Sequence, residues 1–200
     1  MFSCDLTRQQ QKTAASPSFE TDEELAWRAV QEVEAFRELY RRYRLPVYRY
    51  HIARTGHEQE AQNLTSRTFL AALEGITSYR FGGRFITWLF GMASQIRREE
   101  FYKSETTSPR ENPFDVPDGV SFPESGVTSQ IKISEIAQAL NTLADDSAEA
   151  VILCFFARLN TSEIGQVMLK SDAAVKMLVY RGLCDLIIPL SSMLEIENDR

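Results

Sequence analysis

The sequence predicts an all-α protein made of two small helical domains joined by a flexible linker, the second domain a helix-turn-helix. Three observations carry this prediction. Apolar residues recur at helical spacing through most of the chain, one Pro-, Gly- and acid-rich stretch interrupts them, and no segment alternates apolar and polar residues as a strand would. Two hundred residues at 44% apolar content suffice for one ordinary domain or two small ones.

Residues 1–20 are rich in Gln, Ser and Thr and read as a disordered tail. Thr21-Asp-Glu-Glu24 is a capping box that opens the first helix of a domain over 21–103. A second helix carries Phe36, Leu39, Tyr40, Tyr43 and Val47 on one stripe, and Pro46 is expected to kink or split it. A third runs from about Glu58 to Thr77, with Phe69, Ala72, Leu73 and Ile76 at i, i+3, i+4 and i+7. After Gly82-Gly83 the fourth, from about Arg84 to Lys103, has the cleanest period: Phe85, Trp88, Leu89, Met92, Ala93, Ile96. Residues 104–130 hold Pro109, Pro113, Pro117, Pro123, Gly119 and Gly126, which break any period. A stretch this long is a linker rather than a connection inside a compact domain. A second domain, 131–188, follows, with helices expected at about 131–142 (Ile133, Ile136, Ala137, Leu140), 147–158 (Val151, Ile152, Phe155, Phe156), 161–168 and 172–188. The C-terminal tail, 189–200, is short and amphipathic and reads as a helix extension or a small docking segment.

The last two helices are the most informative. Asn160 can cap the first of them, with Glu163 returning the bond, and Ile164, Val167 and Met168 form its apolar face. Ser171 can cap the second, where Val175, Leu178, Val179 and Leu183 share one stripe. Helices this short, joined by about three residues, bury their stripes against each other and a third helix, as in a helix-turn-helix. Ser171, Asp172, Ala173, Lys176, Tyr180 and Arg181 then face outward, where a recognition helix meets a major groove. A plain helical hairpin in a bundle is the alternative for this segment taken alone.

Composition excludes several classes. The net charge of −6 argues against indiscriminate nucleic-acid binding. Its distribution matters more: 21–103 balances at +2, 104–130 at −4 and 131–200 at −4, so the helix-turn-helix half binds DNA weakly by itself. No run approaches the roughly 18 apolar residues that span a bilayer, and the first residues lack a signal-peptide core, which predicts a cytoplasmic protein without membrane insertion. Cys154 and Cys184 lie in apolar helical stretches and read as buried thiols; Cys4, Cys154 and Cys184 are too far apart to suggest a metal site. His51 and His57 lack ligand-spaced partners and read as solvated. Without a phosphate loop, a nucleophile elbow or a His-Glu-x-x-His, no catalytic residue, metal or cofactor is expected.

The order of segments resembles the extracytoplasmic-function class of bacterial RNA polymerase sigma factors. Phe36-Arg-Glu-Leu-Tyr40-Arg-Arg-Tyr43 with Val47-Tyr48 resembles the first helix pair of their promoter-melting domain. Glu60-Ala-Gln-Asn-Leu-Thr-Ser-Arg-Thr-Phe-Leu70 is similar to the family's Asp-Ala-Glu-Asp-Leu-Thr-Gln-Glu-Thr-Phe-Leu. Phe85-Ile-Thr-Trp-Leu-Phe-Gly-Met-Ala93 is similar to its Phe-x-x-Trp-Leu-x-x-Ile-Ala, and Leu143 through Leu183 aligns without a gap to its fourth conserved region.

The resemblance implies partners: core RNA polymerase, through the largest-subunit coiled coil and the flap region, promoter DNA, and in many family members an anti-sigma factor. It places core-polymerase binding on Glu60, Gln62, Asn63, Leu64, Thr68 and Phe69. Only Glu60 keeps the family's negative charge here; Gln62, Asn63 and Ser66 are neutral and Arg67 reverses it, so this contact is expected to be weaker than usual. Minus-ten DNA falls to Arg84, Gln95, Arg97, Arg98, Tyr102 and Lys103, groups that can neutralise a backbone and hold an unstacked base. Ser94-Gln95 stands where the family often has Arg-Asn, and Phe85 and Trp88 read as core. Minus-thirty-five DNA falls to Lys170, Ser171, Ala173, Lys176, Tyr180 and Arg181. Leu169 occupies the joint where the family usually has glycine, which predicts an altered turn. The implied function is promoter-directed transcription initiation without enzymatic activity. Depleted carboxylates at 60–67 leave one alternative, a degenerate sigma-like decoy acting by protein contacts; another is a helix-turn-helix regulator independent of polymerase.

Overall fold

The computed structural model describes residues 20–79, 83–106 and 135–198, with side chains described to Lys103 and Ile187 in the last two stretches. The expected tail before Glu20, most of the 104–130 linker and Ile133 lie outside the described residues. Everything described is helix or short connection: α1 (Asp22–Arg28), α2 (Val33–Thr55), α3 (Glu58–Gly75) with a 3-10 turn at Ile76–Ser78, α4 (Phe85–Thr106), α5 (135–141), α6 (Asp145–Phe155), α7 (Thr161–Met168) and α8 (Asp172–Asn198).

Local signals explain most boundaries. Thr21 and Glu24 form the expected capping box on α1, and α2 ends at Gly56 in the left-handed region (φ 68°). Pro46 does not split α2, which runs unbroken for 23 residues. Proline's missing donor and ring clash cost about 3 kcal/mol. Buried Leu39, Tyr43, Val47 and Tyr50 flank it on one face, each worth about 1.5–3 kcal/mol, so packing outweighs the defect. The last helix continues to Asn198, ten residues beyond its expected end at 188.

In the first domain Leu25, Leu39, Phe69, Ala72, Phe85, Leu89 and Phe90 meet in the core, and Tyr79, Phe85 and Trp88 form an aromatic cluster with centroids 5.3–5.7 Å apart. His51 is buried rather than solvated: its Nε2 lies 3.0 Å from Thr68 Oγ1. In the second domain Leu140, Ile152, Leu153, Ile164 and Val175 fill the space between α5, α6, α7 and α8. Gly182 lets α8 lie close to α6, since a Cβ there would sit 2.7 Å from Val151 Cγ2 and 3.3 Å from the Ser147 carbonyl. Several stripe residues turn outward instead: Leu73, Ile136, Phe155 and Leu183 are exposed, as is Cys184, and Cys154 is only half-buried.

The two domains lie against each other. One apolar cluster runs through both, with α7 packed on α4 and α6 against α2. Seven consecutive residues of α6, Ser147 to Leu153, are buried, so its second face is covered by the first domain.

Candidate nucleic-acid interface

The α7–joint–α8 unit is built by local chemistry. Asn160 Oδ1 accepts from the Glu163 amide at 3.0 Å, and Glu163 Oε2 accepts from the Asn160 amide at 2.8 Å. The chain leaves α7 through Leu169 at φ 55°, ψ 42°, the left-handed conformation that glycine adopts at low cost. The turn is therefore not altered by the leucine; the side chain points to solvent and the backbone bears the strain. The Lys170 amide returns to the Gly165 carbonyl at 2.9 Å, and a Cβ on Gly165 would lie 2.7 Å from the Lys170 oxygen, so the joint needs glycine on its inner side. Ser171 Oγ accepts from the Ala174 amide at 3.3 Å and caps α8 as expected.

Fully buried Val175 fixes the rotation of α8 and leaves Ser171, Ala173, Lys176, Tyr180 and Arg181 exposed on its other side, with Lys170 half-buried at the joint. Two of the three cations are engaged: Lys170 Nζ pairs with Asp146 at 3.0 Å and Lys176 Nζ with Asp172 at 2.6 Å. Hydrogen bonds from Lys176 and Thr161 hold the Asp172 carboxyl below the usual range.

On α4 the expected minus-ten residues divide. Gln95, Arg98, Tyr102 and Lys103 are exposed, Gln95 donating to Glu99 at 2.9 Å and Tyr102 standing edge-on to Phe101. Arg84 and Arg97 are engaged by the second domain. Arg84 Nη1 reaches Glu163 Oε1 at 2.8 Å. Arg97 is buried, its Nη2 3.4 Å from Glu149 and 3.6 Å from Asp145. Glu149 is 4% exposed and accepts from Tyr50 Oη at 2.6 Å and Ser94 Oγ at 2.8 Å, with Arg54 Nε 3.9 Å away. Arg54 also pairs with Asp145. Burial works to raise the Asp145 carboxyl, and Arg54 and Arg97 outweigh it, holding it below the usual range.

On α3 the period of 3.6 divides the expected polymerase-binding residues in the same way. Leu64, Thr68 and Phe69 are core residues, Thr68 Oγ1 also donating to the Leu64 carbonyl at 2.7 Å. Glu60 is exposed and Gln62 and Asn63 are half-buried. Arg67, the reversed charge, pairs with Glu100 of α4. The Glu149 cluster had no sequence signal: Tyr50, Ser94 and Glu149 are separated by up to 99 positions, and each looks ordinary in its own helix. No group of three or more His, Cys, Asp or Glu placed to hold a metal occurs among the described residues, and no helix there is long and apolar enough to cross a membrane.

Sequence comparison agrees with this architecture. The Sigma-70 region 2 profile matches residues 39–103 and the Sigma-70, region 4 profile matches 133–186. The ECF RNA polymerase sigma factor BldN of Streptomyces coelicolor is 32% identical over 157 residues, covering 76% of this chain and 59% of its own length. RNA polymerase sigma factor YlaC of Bacillus subtilis is 27% identical over 158 residues, covering 76% of this chain and 90% of its own. Thus the chain spans somewhat over half of the first relative and most of the second. Among solved structures, CnrH in complex with the cytosolic domain of CnrY superposes with a TM-score of 0.66 at 20% identity, over 86% of this chain and 99% of that one. The sigma factor RpoE in complex with the anti-sigma factor NepR, from Bartonella quintana, gives 0.56 at 20% identity, over 79% and 98%. Two region profiles in the right order, on an all-helical fold with a capped helix-turn-helix, place this chain in the extracytoplasmic-function family of RNA polymerase sigma factors.

Proposed function

We propose that this chain directs core RNA polymerase to promoters, using a first domain (21–103) for the polymerase and the minus-ten element and a second (131–188) for the minus-thirty-five element. The observation that carries this is the exposed face of α8, where Ser171, Ala173, Lys176, Tyr180 and Arg181 stand on a helix whose rotation is fixed by Val175. Arg98, Gln95, Tyr102 and Lys103 supply a basic and aromatic face on α4 for single-stranded DNA, with Arg84 and Arg97 joining once released from their carboxylates. Glu60, Gln62 and Asn63 of α3 meet the polymerase coiled coil. Leu64, Thr68 and Phe69 support that surface from beneath. The site of action is the cytoplasm, and an anti-sigma partner, as in the RpoE–NepR complex, belongs to the same reading. Few free cations among the described residues of the second domain suit two DNA contacts tethered on one polymerase, where neither must be strong alone.

The test is a titration of core polymerase with the full chain and with Arg67→Glu, followed by promoter-dependent initiation with Lys176→Ala/Arg181→Ala. Binding by the full chain, tighter in Arg67→Glu, and loss of initiation in the double variant are expected. Failure of both forms to bind core polymerase would refute the proposal.

A further inference from the structure

We propose that the cavity beside the α5–α6 turn binds a free basic amino acid, lysine or arginine, by its zwitterionic head and its cationic tail. The site stands on geometry alone; its consequence for polymerase rests on the role of Glu60 proposed above.

The cavity, about 480 Å3, falls within the size range of small-molecule sites. Its walls come from the end of α2, the start of α3, the second half of α4 and the turn between α5 and α6. At its inner end stand Arg54 and Arg97, with side chains only 8% and 10% exposed. Three buried polar atoms there have no hydrogen-bond partner among the described residues: Arg54 Nε, Arg97 Nε and, behind them, Glu149 Oε2. That oxygen is 3.9 Å from Arg54 Nε and 3.4 Å from Arg97 Nη2. Leaving such groups unmade is costly, and native interiors rarely do so. The set calls for an acceptor between two guanidinium N–H groups and a donor for one carboxylate oxygen. An α-carboxylate beside an α-ammonium supplies both from neighbouring atoms. A simple carboxylate supplies only the acceptor, and an amine only the donor.

The outer end carries the opposite charge. Glu60 and Glu100 line it, and Arg67 already pairs with Glu100, which leaves Glu60 without an ion pair among the described residues. Desolvation, with Glu100 nearby, outweighs His57 and pushes the Glu60 carboxyl above the usual range, a cost that a bound cation relieves. Between the two ends Leu64, Leu143 and Phe101 give an apolar wall for an alkyl stem. Arg54 and Arg97 set against Asp145, Glu149 and Glu60 leave one negative charge unmatched, and lysine or arginine brings one net positive charge. Bound there, the amino acid takes Glu60 away from a polymerase cation.

The full chain is titrated by calorimetry with L-lysine, L-arginine, L-norleucine, which lacks the tail charge, and cadaverine, which lacks the carboxylate. Glu60→Gln removes the tail partner, and Arg54→Lys keeps a cation beside Asp145 but removes the Nε donor. Glu74→Gln makes the same charge change as Glu60→Gln at an exposed position of α3 that does not line the cavity. Saturable one-to-one binding of lysine or arginine is expected, with norleucine and cadaverine each about tenfold weaker, as for the loss of one charge-assisted contact. Glu60→Gln should erase the preference for lysine over norleucine, Glu74→Gln should keep it, and Arg54→Lys should weaken every α-amino acid. If Arg54→Lys does not fold, the comparison of lysine with cadaverine still reads the head group. Absence of saturable binding, cadaverine bound as tightly as lysine, or a preference unmoved by Glu60→Gln would overturn the site. Saturating lysine should also weaken binding of the unaltered chain to core polymerase. Lysine binding that leaves polymerase affinity unchanged would overturn that coupling alone, whereas a chain that never binds polymerase would refute the role of Glu60 there and leave the site standing.

Discussion

Replacing Leu169 by glycine is expected to stabilise the second domain, although it deletes a large apolar side chain. The residue sits at φ 55°, ψ 42°, where a Cβ crowds the following carbonyl at a cost of about 1–2 kcal/mol. Its side chain is 88% exposed, so almost no burial is lost. Against the relief stands the greater freedom of glycine in the unfolded chain, about 0.4–1 kcal/mol. The middle of the two ranges leaves a gain of about 0.8 kcal/mol, or roughly 2–3 °C in Tm for a chain of this size. Leu169→Ala keeps the Cβ and hence the strain, and should fall near the wild type. Urea unfolding followed by circular dichroism at unchanged m-value separates the two, since both tryptophans, Trp27 and Trp88, lie in the first domain. A glycine variant no more stable than the alanine variant would refute the claim that backbone strain at the joint is what the leucine costs.

Gly165→Ala should destabilise by about 1–3 kcal/mol, because its Cβ would lie 2.7 Å from the Lys170 carbonyl oxygen and the joint would have to open; the same urea titration measures it. Burial, with Arg97 and Arg67 nearby, lowers the His51 imidazole to about 3, so the folded chain keeps it neutral while the unfolded chain protonates it near 6.5. Stability should then fall as pH drops below about 6.5, by up to about 1.4 kcal/mol per unit, and the loss from His51 should level off near pH 3. Glu38, held down to about 2 by hydrogen bonds from Arg41 and Arg42, adds its own loss only below about pH 4.5. In the window from pH 6.5 to 4.5 the fall comes from His51, opposed by Glu60, whose carboxyl desolvation pushes above the usual range so that it gains stability on protonation, and His51→Gln should remove the fall.

Much of the fold was legible because its signals are local. The capping pairs Thr21–Glu24 and Asn160–Glu163, the serine cap at 171 and the stripe of α4 act within one or two turns, and all occur as the spacing required. Where a rule was broken, physics resolved it in favour of packing: Pro46 stays inside α2, and Leu169 adopts a glycine conformation. The candidate site was legible as a set of helix faces and not as a set of accessible groups. Period alone put Phe69 on a buried stripe, yet the core-polymerase assignment followed the resemblance and included it with Leu64 and Thr68. The cover over Arg97 has no local signal at all, since it comes from α6, about fifty positions further along.

By itself the sequence determined the run of helices, the caps at Thr21, Asn160 and Ser171 and the family, because each depends on neighbours a few residues apart or on the order of segments. Only the tertiary structure decided which charges face each other. Glu149 follows Asp145 and Asp146 in the first turns of α6 and reads there as one more acid favouring a helix N-terminus. Its burial against Tyr50, Ser94, Arg54 and Arg97 depends on a second domain brought alongside, and no period within a single helix encodes that approach.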